Sequence, residues 1–384
     1  MRAPISKNHD RLMRQALALA RRGYGTTSPN PMVGAVLVKG GKVIGRGWHR
    51  RTGQPHAEIE ALRDAQKQGH NPKRAALYVT LEPCCTHGRT PPCTDAIIAA
   101  GIQKVVAGAT DPNPRHCGRG FQILKRAGLA VTQGVLAEEC GRLNEAFNHW
   151  MVRGTPFVTV KAAMTLDGKV ATASGESKWI TGEKARAYGM KLRQGTDAIL
   201  VGINTILADD PSLSVRGQKS EVRSQRSEVR GQRQPRRIVL DAKARTPLDA
   251  RVVTDAHAHL TTIVVGKSAP RARVAALAKR VNVLAAPARN GKIELRWLLR
   301  MLGSEDVTSL LVEGGGEVNA SFLLQGQTQR IAFFYAPKVL GGRDARKAVG
   351  GEGVRRVDEA IKFSQVEWRT LGSDLLLTAC VITR

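Results

Sequence analysis

Short apolar runs alternate with amphipathic stretches along most of this chain, a pattern of buried strands and surface helices. Gln15–Ala20 is apolar but short and runs at once into Arg21 and Arg22, so it reads as an amphipathic first helix and not as a secretory signal. Met32–Val38 and Lys42–Trp48 read as strands turned through Gly40-Gly41. A helix is expected over Ala57–Gln68, a strand over Ala76–Leu81, a helix over Thr94–Ala100 stopped by Gly101, and a strand over Lys104–Gly108. Gly120–Ala127 and Ala137–Trp150 look helical, and Gly154-Thr155-Pro156 makes a junction.

The second half starts afresh with a strand at Phe157–Met164 and an Asp-Gly turn at Asp167-Gly168. A helix follows from about Gly182 to Arg193, capped by Thr181 and ended near Gly195. Strands are expected at Ala198–Val201, Arg237–Leu240, Thr262–Val265, Val281–Leu284 and Ser309–Val312, then at Ile331–Tyr335, Val366–Leu371 and Leu375–Ile382. Helices are expected at Lys292–Leu302 and Val318–Leu324. The pattern predicts two α/β domains in series, residues 1–153 and 154–384. The heptads LSVRGQK, SEVRSQR and SEVRGQR over Leu213–Arg233 break it. Each carries one valine where a coiled-coil seam needs two apolar positions, so an exposed insertion is expected at about 217–234.

Composition adds limits. At 42% hydrophobic residues the chain is too apolar to be disordered, and no apolar run is long enough to span a membrane. Six cysteines in 384 residues are no disulfide framework, which points to a reducing compartment, the cytoplasm by default, and to a metal. The formal charge of +28 invites a nucleic-acid reading, but the excess is spread over both halves. A dispersed basic surface fits attraction of phosphorylated ligands better than a specific nucleic-acid face. A homo-oligomer stays open.

The sharpest local chemistry is His56-Ala57-Glu58, then Pro83-Cys84 and, nine residues on, Pro92-Cys93. One imidazole and two thiolates around tetrahedral zinc leave the fourth position to water, as in a catalytic site. Residues i and i+2 point apart inside a helix, so His56 and Glu58 can share a site only at a helix start, which Pro55 suits. Pro83 and Pro92 place each cysteine at a helix start in the same way, where the dipole favours thiolate. Glu58 is then the unligated carboxylate that shuttles a proton, as in the zinc nucleobase deaminases. A closed structural zinc would draw a fourth ligand from Cys85, His87 or Cys117 and has no use for Glu58. In the second half, Glu313-Gly314-Gly315-Gly316 between a strand and a helix suits either a phosphate-binding turn or a plain flexible one.

Longer strings carry a resemblance. Thr27-Ser28-Pro29-Asn30-Pro31, Pro55-His56-Ala57-Glu58, Leu81-Glu82-Pro83-Cys84, Gly88-Arg89-Thr90-Pro91-Pro92-Cys93 and Asp111-Pro112-Asn113-Pro114 resemble the bifunctional riboflavin-biosynthesis deaminase–reductases. Lys161-Ala162-Ala163, Ser174 to Thr181, Leu207 to Pro211, Val312 to Gly315 and Ala336-Pro337-Lys338 are similar to that family's reductase half. The resemblance implies a cytidine-deaminase-like α/β/α domain followed by a dihydrofolate-reductase-like α/β domain. It implies hydrolytic deamination of 2,5-diamino-6-(5-phosphoribosylamino)pyrimidin-4(3H)-one, then NADPH-dependent reduction of the ribosyl to the ribityl side chain. The zinc ligands it implies are His56, Cys84 and Cys93, with Glu58 moving the proton and Asn30, His49 and Asn113 near the pyrimidine. For the reductase it implies substrate contacts at Ser177, Arg193, Leu213, Arg216 and Glu313. Cofactor contacts are implied at Ala163, Trp179, Thr205, Asp209 and at Gly315, Gly316, Glu317, Val318, Asn319, Ala320 and Ser321. Lys161 matches a lysine close to the reacting ribose.

Two positions depart from the family pattern: Cys85 replaces a small polar residue, and the heptads begin at Leu213 and Arg216. Two rival readings remain at this point. A nucleic-acid deaminase would carry two residues between its cysteines, where this chain has eight, and needs no second α/β domain. A deaminase whose second half only binds or assembles would not need the reductase motifs.

Overall fold

The computed structural model describes residues 7–87, 91–215, 233–289 and 291–382. The chain divides into two compact units, Met1–Gly154 and Thr155–Arg384. Among the described residues, no helix is long and apolar enough to cross a membrane.

The first unit begins with α1 (Lys7–Ala20), β1 (Gly34–Lys39), β2 (Lys42–Trp48), α2 (Ala57–Lys67) and β3 (Ala76–Leu81). It continues with α3 (Cys93–Ala99), β4 (Lys104–Ala109), α4 (Arg119–Arg126), β5 (Ala130–Thr132), α5 (Ala137–Leu143) and α6 (Glu145–Arg153). The sheet order is β2-β1-β3-β4-β5, with β1 antiparallel to β2 and β3, and β3, β4 and β5 parallel. Side chains alternate across β1. Ala35 and Leu37 join a core with Ala57, Ala61, Ile97 and Phe121, whereas Val36 and Val38 pack with Leu12, Met13 and Leu17 of α1. Helices on both faces explain why these strands read as unbroken apolar runs.

Close packing positions the start of α2. A Cβ on Gly47 would come within 2.2 Å of the Ala57 carbonyl oxygen, so the first turn of α2 lies directly on β2. The helix expected over Ala137–Trp150 is broken at Asn144, which leaves helical geometry at φ −115° and ψ 27°. Its side-chain amide accepts from the Met32 N–H and donates to the Met32 carbonyl, at 2.8 and 2.9 Å. A tertiary hydrogen-bond pair thus overrides the local periodicity. Strand β5 was not expected; three residues carry too little pattern to be read.

The second unit begins with β6 (Phe157–Thr165), β7 (Lys169–Ala171), α7 (Glu183–Gln194), β8 (Ala198–Gly202) and α8 (Ile203–Asp209). Next come β9 (Arg236–Leu240), α9 (Arg251–Thr254), β10 (Thr261–Gly266), α10 (Arg271–Ala278), β11 (Asn282–Ala286) and the short pair β12 (Ala288–Arg289) and β13 (Lys292–Ile293). The unit ends with α11 (Leu295–Ser304), β14 (Ser309–Val312), α12 (Gly316–Leu324), β15 (Arg330–Ala336), β16 (Arg346–Lys347), β17 (Phe363–Leu371) and β18 (Asp374–Val381). Lys292 and Ile293 pair with β12 in place of starting the expected helix, which begins at Leu295. Helices α8, α9 and α10 were not expected. In α10 only Leu277 is buried, so no apolar stripe marks it.

The large sheet runs β11-β10-β9-β8-β14-β6-β15-β18-β17, parallel except at β18, which is antiparallel to β15 and β17. From β8 the chain moves outward through β9, β10 and β11, then returns to insert β14 between β8 and β6. That reversal opens a crevice at the carboxyl ends of β6, β8 and β14, where ligands bind in open α/β sheets.

The first heptad and the end of the expected 217–234 insertion both belong to the folded unit. Leu213 and Val215, in the first copy, are core residues at 2% and 5% exposure. Gln234 belongs to the folded unit as well. Its amide accepts from the Val215 N–H at 2.8 Å and donates to the Val215 carbonyl at 2.9 Å. Arg233 pairs with the buried Asp197 at 2.9 Å. Arg216 and the rest of the repeat to residue 232 lie outside the described residues.

Candidate functional site

In the first unit three elements converge on one point. His56 is the extended N-cap of α2, so its ring and the Glu58 carboxylate share the helix start. Cys93 opens α3 behind Pro92. Cys84 does not open a helix, contrary to expectation, because the chain after β3 runs on in a loop. Its thiol nevertheless sits at the start of α3, accepting the Cys93 N–H at 3.3 Å. His56 Nδ1 lies 3.4 Å from Cys84 Sγ and 3.3 Å from Cys93 Sγ, and all three ligand atoms lie within 4.8 Å of one another.

This donor set fits zinc. One nitrogen and two sulfurs at these separations surround a tetrahedral centre and leave one position open. Among the described residues the cluster holds these three alone; His87 and Cys117 are exposed outside it, and burial pushes the Cys85 thiol up. Hydrogen bonds from Cys93 and then His56 lower the Cys84 thiol, and Cys93 is correspondingly raised; zinc bound to the pair deprotonates both.

Glu58 is 3% exposed. Burial first, and the adjacent Cys84 second, push its carboxyl up to about 7 against the opposing pull of His56. A carboxyl balanced near neutrality both takes and gives a proton. Beside it, the His49 ring stands edge-on to the His56 ring, at 5.3 Å between centroids. His49 is buried, and desolvation lowers its pKa, so it is neutral. Its hydrogen bonds set the tautomer: Nδ1–H donates to the Pro55 carbonyl at 3.1 Å, and Nε2 accepts the Asn30 amide at 3.2 Å. Asn113 caps its own turn, accepting the Arg115 N–H at 3.0 Å. One residue here was quoted in a motif without a role: Glu82 is buried, and its carboxylate accepts only backbone N–H groups.

In the second unit Arg193, near the end of α7, meets Glu313, just past β14. Nε donates to Oε1 at 3.1 Å and Nη2 to Oε2, a bidentate pair. Arg193 also donates to the Ser214 carbonyl at 3.3 Å, next to Leu213, whose backbone is left-handed at φ 52°. Burial would raise the Glu313 carboxyl, but Arg193 and Lys161 outweigh it and hold the group at about 2. Ser177 donates to Asp209 at 2.9 Å, joining two candidate positions from separate segments.

The glycine turn before α12 is more differentiated than its sequence. A Cβ on Gly314 would meet Val318, and one on Gly316 would meet the Lys347 carbonyl at 2.3 Å, so both serve packing. Over Gly315, the N-cap, there is open space, and no side chain caps the helix. The first amides of α12 suit a cofactor phosphate. The buried Asn319 donates to the Ala348 carbonyl, while its Oδ1 has no hydrogen-bond partner. Ala320 is buried, and Ser321 is tied back to the Glu317 carbonyl. The side chains of Asn319, Ala320 and Ser321 are thus taken up within the fold, which leaves the backbone N–H groups at the start of α12 for a ligand. Ala163 and Thr205 are partly buried on β6 and α8. Trp179 is 68% exposed under Arg186, and its carbonyl accepts from Lys338. These residues fit a dinucleotide laid along the carboxyl ends of the strands.

Comparison with known proteins agrees with both halves. Residues 6–109 match the family described as the cytidine and deoxycytidylate deaminase zinc-binding region, and residues 156–377 match the RibD C-terminal domain. The riboflavin biosynthesis protein RibD of Actinobacillus pleuropneumoniae is 43% identical over 97% of this chain and 95% of its own length. Its Escherichia coli counterpart is 40% identical over 95% and 97%. The solved structure of Acinetobacter baumannii RibD aligns at a TM-score of 0.86 with 36% identity, covering 98% of this chain and 99% of that one. A diaminohydroxyphosphoribosylaminopyrimidine deaminase/5-amino-6-(5-phosphoribosylamino)uracil reductase from Thermotoga maritima aligns at 0.80 with 34% identity, covering 98% and 99%. A buried carboxyl beside an imidazole–dithiolate cluster in one unit, an ion-paired crevice in the other, and relatives matched along nearly their whole length leave one assignment: this chain belongs to the RibD family of bifunctional riboflavin-biosynthesis deaminase–reductases.

Proposed function

We propose that the chain converts 2,5-diamino-6-(5-phosphoribosylamino)pyrimidin-4(3H)-one to 5-amino-6-(5-phosphoribosylamino)uracil in residues 1–153, and reduces the ribosyl group of that product in residues 154–384. The observation that carries the first step is the convergence of His56, Cys84 and Cys93 on one point with buried Glu58 beside it. Zinc held by these three supplies Lewis-acid activation of water. Glu58 takes a proton from the attacking water and delivers it to the amino nitrogen, which departs as ammonia while a carbonyl forms on the ring carbon. His49 and Asn30 present a fixed hydrogen-bonding edge beside the ring.

For the second step NADPH supplies the hydride. Arg193 and Glu313 hold the substrate, with Ser177, the Leu213 backbone and Arg216 completing its contacts. Ala163, Trp179, Thr205, Asp209 and residues 315–321 line the cofactor. Lys161 adds positive charge beside Glu313, which helps to fix that carboxylate as an acceptor. We place the enzyme in the cytoplasm, with six free thiols, acting on a free phosphorylated metabolite and not on nucleic acid. The spread of basic charge and the eight residues between Cys84 and Cys93 support that choice.

The test is to supply the diaminopyrimidine phosphate with and without NADPH and to identify the products. Without NADPH, ammonia and the ribosyl-bearing uracil are expected; with NADPH, the ribityl compound. No ammonia release from zinc-loaded enzyme would overturn the deaminase reading. Tight, salt-resistant binding of single-stranded DNA or tRNA with base deamination would favour the nucleic-acid alternative.

A further inference from the structure

Glu82 directly follows β3 in the run Leu81-Glu82-Pro83-Cys84, and none of the chemistry above uses it. Its carboxylate is 5% exposed and collects four main-chain donors. Asp111 N–H and Gly118 N–H reach Oε2 at 3.1 and 2.9 Å, while Gly120 N–H and Phe121 N–H reach Oε1 at 2.8 and 3.4 Å. These four amides bracket the whole connection between β4 and α4, including Asn113. Gly120 and Phe121 lie in the first turn of α4, whose dipole compensates the buried charge. The fit is tight on the ligand side too. A Cβ on Gly120 would come within 2.3 Å of the Pro83 carbonyl, so the connection is seated on the peptide that leads into Cys84.

We propose that Glu82 is a positioning residue of the deaminase site. It locks the Asp111–Gly120 connection beside Cys84 in the geometry that receives the pyrimidine, and it takes no part in proton transfer. One buried carboxylate does for this loop what a strand partner does elsewhere, satisfying otherwise orphaned N–H groups and fixing their direction. The proposal rests on the deaminase reading of the same unit. It assigns Glu82 to substrate binding and leaves the bond-making step to Glu58.

The experiment uses the full-length, zinc-loaded enzyme. Glu82→Gln keeps size but turns a donor NH2 toward two N–H groups, so the loop must shift. KM for deamination should rise about 10-fold or more while kcat stays within about 3-fold. Zinc content, the pH profile of kcat and the reduction of supplied uracil substrate should stay unchanged. Glu82→Asp keeps four acceptor sites on a shorter arm and should recover most of the lost affinity. An unchanged KM, a fall in kcat alone, or loss of zinc in Glu82→Gln would overturn the proposal. If that variant fails to fold, Gly118→Ala carries the test. Gly118 has φ 75° with open space at its Cβ, so alanine strains the loop without a clash. A KM rise of about 2- to 5-fold at constant kcat is expected there, and no rise overturns the proposal. Deamination that survives Glu58→Gln would instead sink the underlying reading, whatever Glu82 does.

Discussion

Glu58 is buried and Glu313 is half-buried with 9% of its side chain exposed, yet their carboxyls move in opposite directions. Glu58 is pushed up to about 7 by burial and then by Cys84; Glu313 faces Arg193 and Lys161 and is held at about 2. Burial opposes ionisation at both, so the neighbours decide. A carboxyl near neutrality suits the proton transfer proposed for Glu58, and one held ionised suits the orienting charge proposed for Glu313. The units also differ in reach. His56 and Cys93 are 37 residues apart, whereas Arg193 and Glu313 are 120 apart. A metal cluster can be assembled from the starts of neighbouring elements, but a crevice between parallel strands draws on segments that the crossovers keep distant.

Mutation can break the contrast. Glu58→Gln should keep about one zinc per chain but lower kcat for deamination by about 10²- to 10⁴-fold, since an amide carries no transferable proton. Ammonia release checks this, with reduction of supplied uracil substrate as the internal control. Cys84→Ser should also stop deamination, but through zinc loss measured by metal analysis, and again leave reduction intact.

Glu313→Gln leaves Arg193 as a largely buried cation without its counter-charge. The second unit should lose about 3–5 kcal/mol in urea unfolding, and reduction should fail while deamination persists. Acid sharpens the point. Because the folded-state pKa of Glu313 is depressed, its stabilising contribution is full above the ordinary carboxylate value of 4.5 and is lost as pH falls from there through about 2. The stability gap between wild type and Glu313→Gln should narrow over that window. A gap independent of pH would show that the ion pair does not set it.

The smallest effects belong to the heptads. Deleting 220–233 removes two whole repeats and sets Lys219 directly before Gln234, so a cation still faces Asp197. Both rates should stay within about 2-fold, because a segment this poor in apolar residues buries little. Deleting 219–233 or making Arg233→Ala removes that cation and should cost about 0.5–1 kcal/mol of second-unit stability. Asp197 keeps its donors from Thr308 and Ser309 in each case.

Much of this was legible beforehand, for identifiable reasons. The strands show because buried parallel strands are continuous apolar runs, as in Ser309–Val312 and Ala76–Leu81. Helix α10 was not legible because it shows no apolar stripe, and the break at Asn144 was not because its cause, Met32, lies 112 residues away. Side-chain type and spacing singled out His56, Cys84 and Cys93, which the fold brings together in a set that could hold a metal, and Glu58, which it buries. Placing Cys84 at a helix start was wrong in detail, since its thiol reaches the start of α3 through space and not along its own chain.

The amino-acid sequence by itself therefore determined the two α/β units and singled out the His56, Cys84 and Cys93 set and the Glu58 carboxyl, because ligand chemistry and apolar periodicity are local properties of residues. Only the tertiary structure decided what Glu82 and the three glycines before α12 do. It also decided that Leu213 and Val215 of the first heptad are core, and that Glu58 and Glu313 titrate apart. Burial, packing clearance and the identity of the facing charge are properties of neighbours in space, and folding brings those neighbours together from segments that no window of sequence spans.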